Sequence, residues 1–337
     1  MLRTLNPIRL AVKVFCTILM ALVAFGMRTQ DNPVFRGESQ IVFVPALVRN
    51  THGQPVYGLQ AKDFSLEDDG VEQPIQIDER SDIEPVSIVV ALQIGRRAKR
   101  EFSRIVRLGS MLDDMLAEGE TISEITLVQF DSRVRTVRGF TRDETPVAEY
   151  LKNISPGDHG AAILDAVNYS VKLLDKLPRG HERILLLISE TRDHGSHKAK
   201  LDQVVEAVGT SNVQIYAVPF SPSLSQVLDT ERGLNKDEWR PAQSPLDVGG
   251  PSLIMMNAAR KNVAKGLASM TGGQYEPFAS RKSFENDLFD FTNRLRSRYV
   301  LTFEPKQPHA GLHRLRVGLR ESNDMTVLAR TCYWAQH

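Results

Sequence analysis

The chain has 337 residues, 42% of them apolar and 25% charged, proportions that allow a sizeable core in about two domains and exclude a disordered or fibrous class. Its 42 Lys and Arg against 41 Asp and Glu leave a net charge of +1, so no nucleic-acid partner is expected from electrostatics.

Arg3, Arg9 and Lys13 precede the apolar run Val14 to Gly26, and Ala24-Phe-Gly26 has small residues at the spacing a signal peptidase accepts. Residues 1–26 therefore read as a signal peptide, and the chain as exported to the periplasm, cell envelope or extracellular space. The run is short for a spanning helix, so an uncleaved signal anchor is the one membrane association it would permit. Removal of the segment, which contains Cys16, leaves Cys332 as the only cysteine and a mature chain without an internal disulfide.

Gln40 to Val48 reads as a strand, His52-Gly53 as a turn and Pro55 to Leu59 as a short extended piece. Asp63 to Glu67 and Gln73 to Ile77 alternate around the turn Asp68-Asp-Gly70. These antiparallel pieces are too few for an independent core.

From Val86 strands alternate with helices. Ile88 to Leu92 is a continuous apolar run, as in a strand buried on both faces of a parallel sheet. It ends at Gly95, and Phe102, Ile105, Val106, Leu108, Met111, Leu112 and Met115 then follow helical spacing. In an open parallel sheet ligands bind at the carboxyl ends of strands, which puts Gln93 to Arg97 on the working face. Ile122 to Phe130 and Val134 to Phe140 form a predicted hairpin around Asp131-Ser132. Predicted helices cover Pro146–Ile154, Gly160–Leu174 and Ala199–Val208, with buried strands at Ile184–Ile188 and Val213–Phe220.

The polar, proline-containing stretch 221–251 breaks this rhythm and reads as a long insertion at a strand end. A helix over Leu253–Met270 ends at Gly272-Gly273. Gln274 to Phe278 follows as an edge strand, and Phe284, Leu288, Phe291 and Leu295 mark a last helix. Beyond Arg298 the period returns to two in Tyr299–Phe303, His313–Leu319 and Met325–Arg330.

The fold class expected is therefore α/β. A doubly wound, mostly parallel Rossmann-like unit (85–298) is inserted into a β-sandwich-like domain built from both chain ends, 38–82 and 299–334.

Six segments, in this order and spacing, resemble the von Willebrand factor type A (VWA) domain, in the variant called the VWFA-related acidobacterial domain. They are Gly58 to Gly70, Ser87 to Gly95, Gly157 to Ala166, Leu186 to Glu190 with Asp193 to Ser196, Ala268 to Tyr275, and Leu295 to Leu301. The resemblance implies a domain that binds macromolecules, often through a metal-ion-dependent adhesion site. Such a site needs an Asp-x-Ser-x-Ser turn after the first strand, a Thr on a second loop and an Asp after the central strand, oxygen donors that suit Mg²⁺. Aligned with that pattern, this chain has Gln93, Gly95 and Arg97 in the turn, Ala161 in place of Thr, and Glu190 in place of Asp. The site is expected to be degenerate, with no Mg²⁺ and no other cofactor. Arg97 is expected either to pair with Glu190 in the vacated space or to point to water.

Arg96, Arg97, Asp158, His159, Glu190, Asp193 and His194 are the candidate partner-binding face. Asp158, His159, Asp193, His194 and His197 offer imidazole and carboxylate to a metal other than Mg²⁺, but without a paired motif of fixed spacing. Ser189 lacks the glycines of a nucleophile elbow. Gly157 to Gly160 lacks the Lys-Ser/Thr of a phosphate loop. Two function classes follow. One is an exported, non-enzymatic protein–protein interaction or adhesion module; the other is a hydrolase or other enzyme on a doubly wound sheet.

Overall fold

The computed structural model describes residues 41–78, 85–117, 122–141, 147–178, 181–220, 261–275, 299–321 and 324–336. The signal segment, the 221–251 insertion and the helix predicted around Phe284 to Leu295 lie outside the described residues. Among the described residues no helix is long and apolar enough to cross a membrane.

The chain opens with four strands: β1 (Val42–Arg49), β2 (Phe64–Asp68), β3 (Val71–Glu72) and β4 (Gln76–Ile77). The α/β unit follows, with strands β5 (Val86–Gln93), β6 (Ile122–Phe130), β7 (Val134–Thr141), β8 (Glu182–Ser189) and β9 (Val213–Pro219). Its helices are α1 (Phe102–Ala117), α2 (Val147–Lys152), α3 (Ile163–Leu174), α4 (Leu201–Thr210) and α5 (Val263–Thr271).

These strands form one sheet of order β7-β6-β5-β8-β9, parallel except where β7 returns from β6 as the predicted hairpin. All eight residues of β5 are buried because the sheet has helices on both sides. Ile88, Val90 and Leu92 pack with Ile105, Leu108 and Leu112 of α1 and Val147 and Leu151 of α2. Val89 and Ala91 face α3, α4 and α5 through Ile163, Val167, Val204, Val208, Ala264 and Leu267. The continuous apolar run has this cause: alternate residues serve two different cores. Helix α5 starts with Asn262 accepting from the Lys265 N–H at 3.0 Å and ends at Gly272, whose φ of +75° few other residues adopt. Helix α3 begins three residues later than its apolar period suggests. Ala161 exchanges backbone hydrogen bonds with His194 instead, at 2.7 and 3.0 Å.

The chain then returns through β10 (Tyr299–Phe303), β11 (Gly311–Leu319), β12 (Thr326–Ala329) and β13 (Cys332–Ala335). Two four-stranded sheets result, β12-β1-β10-β4 and β13-β11-β2-β3. β1 lies between two C-terminal strands, and β2 pairs with β11, so neither chain end completes a sheet alone. Val42, Val44, Phe64 and Leu66 meet Leu301, Phe303, Leu315 and Tyr333 between the sheets. The α/β unit is therefore inserted into a sandwich made from both ends. Two details differ from the sequence expectation. The alternating stretch after Gly70 divides, β3 pairing with β2 while β4 crosses to β10. β13 carries no clear period because Cys332 enters the α/β core and Tyr333 the sandwich core.

Arg330, just before β13, joins the two parts. Its Nε donates to the Cys332 carbonyl at 2.8 Å and its Nη1 to the Phe43 carbonyl at 3.2 Å. Its Nη2 donates to the carbonyls of Gly209 and Ser211 at 2.5 and 3.3 Å, at the C-terminal end of α4. Burial pulls the guanidinium pKa below its ordinary value. The charge is supported by unpaired helix-end carbonyls, where the macrodipole is negative. Gly209 permits the approach, since a Cβ there would lie 2.9 Å from that of Trp334.

Arg330→Met should destabilise the protein by about 3 kcal/mol or more, because the carbonyls stay buried without donors. Urea unfolding measures this, and a loss below about 1 kcal/mol would mean that water replaces the guanidinium. Burial also pushes the Cys332 thiol up to about 12. Iodoacetamide at mildly alkaline pH should therefore spare Cys332 in the native protein and label it after unfolding, as peptide mass spectrometry would show.

Candidate functional site

The carboxyl ends of β5, β6 and β8 bring four loops together, and backbone hydrogen bonds draw them tight. Ile94 N–H donates to the Phe130 carbonyl, Gly157 N–H to that of Ile94 and Arg96 N–H to that of Asp158, each at 2.7 Å. Side-chain volume is excluded at each crossing. A Cβ on Gly95 would lie 2.3 Å from the Gly160 carbonyl oxygen, one on Gly157 2.3 Å from Asp131 Oδ2, and one on Gly160 2.5 Å from the Ser132 nitrogen. Gly95 thus lets the 157–160 loop sit directly on the first turn, and Gly157 and Gly160 let it sit on the hairpin turn at Asp131-Ser132.

Glu190 is at the centre, with its side chain 5% exposed. Gln93 clasps it twice: Nε2 donates to Glu190 Oε1 at 3.1 Å, and the Glu190 N–H donates to Gln93 Oε1 at 2.8 Å. The other carboxylate oxygen is 3.0 Å from His194 Nε2 and 3.4 Å from Arg97 Nη1. Arg97 therefore reaches Glu190, but through one long contact and with 63% of its side chain in solvent. The carboxylate is anchored chiefly by Gln93 and His194, and the arginine is left mostly free to meet something else.

The other predicted residues divide in two. Asp158 is exposed, yet it accepts from Ser132 Oγ, from the Ser132 N–H at 3.0 Å and from the Gly160 N–H at 2.8 Å. The Ser132 hydroxyl, followed by the Gly160 amide, holds its carboxyl below the usual range. Asp193 accepts from the Leu164 N–H at 3.0 Å and from Ser196 Oγ at 2.6 Å, so it caps the start of α3. Both carboxylates organise loops. Arg96 and His159 are exposed, and the backbone of Arg96 ties it to the site. The candidate set Asp158, His159, Asp193, His194 and His197 does not bring three ligand atoms within reach of one ion.

Sequence reasoning missed Asp165, Asp131 and Ser132. Asp165 is buried and accepts from the N–H groups of His197, Lys198 and Ala199 at 3.2, 3.0 and 2.6 Å. In sequence it reads as one polar residue of an amphipathic helix. Asp131 is buried beneath the hairpin turn and accepts from the Arg133 N–H at 2.9 Å. An Asp-Ser pair at a turn is the one signal that could have marked it.

Could the adhesion-site cation fit here? Positions 95 and 161 carry no side-chain oxygen, both Glu190 oxygens are engaged, and a guanidinium lies against one of them. A hard cation asking for near-octahedral oxygen ligands does not fit these residues.

A parallel sheet wrapped by helices, with a loop-built face at its strand ends, defines a doubly wound α/β binding domain. Residues 96–236 match the model of the von Willebrand factor type A domain, and the α/β unit is a VWA domain. Among solved structures, an aerotolerance-related membrane protein from Bacteroides fragilis NCTC 9343, with multiple mutations to serines, is 18% identical. That match covers 62% of this chain and 99% of the other at a TM-score of 0.41. The conserved hypothetical protein BatB from Bacteroides thetaiotaomicron is 17% identical over 62% of this chain and 98% of its own, with a TM-score of 0.40. The vWF domain of the type V pili tip protein Mfa5 from Porphyromonas gingivalis is 15% identical over 33% of this chain and 39% of its own, with a TM-score of 0.30. No curated protein matches the chain.

Gly95→Ser, which adds a hydroxyl at that turn position, should cost about 1–3 kcal/mol because the 157–160 loop must move away. Wild-type stability in a urea melt would show that the loop yields freely. Arg97→Ala should cost less than about 1 kcal/mol in the same assay, since its contact is exposed and Glu190 keeps Gln93 and His194.

Proposed function

We propose that this protein is an exported, non-enzymatic protein-binding or adhesion module whose VWA face engages its partner without a bound cation. The observation that carries the reading is the packing at Gly95: the Gly160 carbonyl oxygen fills the space that a ligating hydroxyl would need. Export rests on the Arg3 to Gly26 pattern.

The face offers the partner positive charge. Arg96, Arg97 and Arg133 are exposed around the strand ends, as is Arg135, which pairs with the buried Asp131 at 3.3 Å, while Glu190 is buried and Asp158 is committed to Ser132 and Gly160. An acidic segment of a partner protein fits this pattern, with Arg97 the natural bidentate donor. Against an enzymatic role, Ser189 is fully buried and its hydroxyl donates to the Glu190 carbonyl at 2.7 Å, which leaves no free nucleophile there.

The test is cross-linking capture from envelope extracts with the wild-type protein and an Arg96→Glu/Arg97→Glu variant. Partner capture should fall at least about tenfold in the variant, weaken with salt, and remain the same in Mg²⁺ or EDTA. Tight calorimetric binding of Mg²⁺, or capture abolished by EDTA, would overturn the cation-free reading.

A further inference from the structure

A second polar cluster sits in the sandwich, away from the strand-end face. It joins the β2–β3 turn to the start of β11. Asp69 Oδ2 is 3.2 Å from His309 Nε2 and 3.2 Å from His313 Nδ1. Each imidazole thus has a nitrogen 3.2 Å from the same carboxylate oxygen, and the rings stack with centroids 3.8 Å apart and planes 16° from parallel, so that the exposed His309 ring must tilt for both lone pairs to meet one ion. The three ligand atoms lie within 4.8 Å of one another, and this is the one such group among the described residues.

Hydrogen bonding alone leaves His313 in difficulty. Its Nε2 is 2.8 Å from the His309 carbonyl, which can only accept, so Nε2 carries a hydrogen. In the neutral ring Nδ1 is then a bare lone pair. Yet it points at two acceptors, Asp68 Oδ1 at 3.0 Å and Asp69 Oδ2 at 3.2 Å. The side chain is 1% exposed, so water cannot mediate freely. A proton shared between Nδ1 and a carboxylate, or a cation, must sit between these atoms.

The surroundings hold the three donors in place. Asp69 is the only non-glycine residue with positive φ among the described residues, at +49°. Its N–H donates to the Arg314 carbonyl at 2.9 Å and its Oδ1 accepts from the Arg314 N–H at 3.0 Å, which leaves Oδ2 for the cluster. Tyr333 donates its hydroxyl to Asp68 Oδ2 at 2.9 Å and stacks on His313. His309 is 57% exposed and gives the cluster an opening to solvent.

We infer that Asp69 Oδ2, His309 Nε2 and His313 Nδ1 form a binding site for a divalent transition-metal cation of the zinc type. Zinc bonds of about 2.0–2.2 Å at tetrahedral angles place neighbouring ligand atoms about 3.3–3.5 Å apart, close to both 3.2 Å separations here. Two imidazoles and a carboxylate are a donor set that zinc accepts, and the open side leaves a fourth position for water. The His313 Nε2–H bond to a backbone carbonyl is the outer contact that orients a metal-bound histidine. On binding, the cation takes the Nδ1 lone pair and any proton there leaves to solvent.

The experiment is calorimetric titration of the purified, chelator-stripped protein, free of any histidine tag, with ZnCl₂, paired with thermal melts. One Zn²⁺ should bind per chain with a rise in Tm and a release of protons that scales with buffer ionisation enthalpy. His309→Ala and Asp69→Asn should each weaken Zn²⁺ binding by about 100-fold or more. His309→Ala should fold normally because the residue is exposed, and asparagine tolerates the positive φ. His52→Ala, at an exposed turn elsewhere, should bind Zn²⁺ as the wild type does. The inference fails if both ligand variants keep wild-type affinity, or if about 1 mM Zn²⁺ produces neither heat nor a Tm shift. Either failure leaves the strand-end face untouched, because none of its residues is involved.

Discussion

The buried guanidinium of Arg330 is the contact on which the arrangement of the two halves depends. A VWA unit inserted between two strands of a sandwich needs a rigid joint, because its entry and exit are peptide connections that fix distance but not orientation. Arg330 supplies that joint by spending its donors on carbonyls from β1, from the entrance to β13 and from the C-terminal end of α4. No carboxylate is needed, since the end of a helix is itself a diffuse negative charge. The strand that follows continues the joint residue by residue, with Cys332 in one core and Tyr333 in the other.

The strand-end face of the VWA unit holds a buried carboxylate without leaving a hole around it. A gap or an uncompensated carboxylate would be costly inside a fold. Here the backbone packs closely at Gly95, Gly157 and Gly160, while Gln93 and His194 meet the carboxylate of Glu190. Arg97 adds charge neutralisation at the rim. The outcome is a surface whose shape comes from loop packing, with exposed arginines at its rim.

The sandwich is more than a platform. Its hydrophobic interior ends at Tyr333, His313 and Asp68, a polar column that leads to the surface at Asp69 and His309. Such a column is expensive to bury unless every member has a partner, and this demand gives the cluster its geometry. The VWA face and this cluster thus follow the same rule from opposite starting points. A buried carboxylate must be met by donors or by a cation.

Periodicity by itself determined the architecture. The doubly apolar run of β5, the hairpin around Asp131, the glycine end of α5 and the two-residue period of β10 and β11 were legible because each reports local burial, and burial repeats with secondary structure. The replacements at positions 93, 95, 97, 161 and 190 were likewise visible as residue types. What they do together was not. Whether Arg97 met Glu190 or water depended on the approach of two loops, and Asp165, Asp131 and Arg330 read as ordinary polar residues until their partners were brought to them from 32 to 34, 27 and about 120 to 290 positions away. β13 was illegible because a four-residue strand shared by two cores is too short to show either a period or a continuous apolar run. Pairing between distant segments is set by the free energy of the whole chain, so only tertiary structure could decide these points.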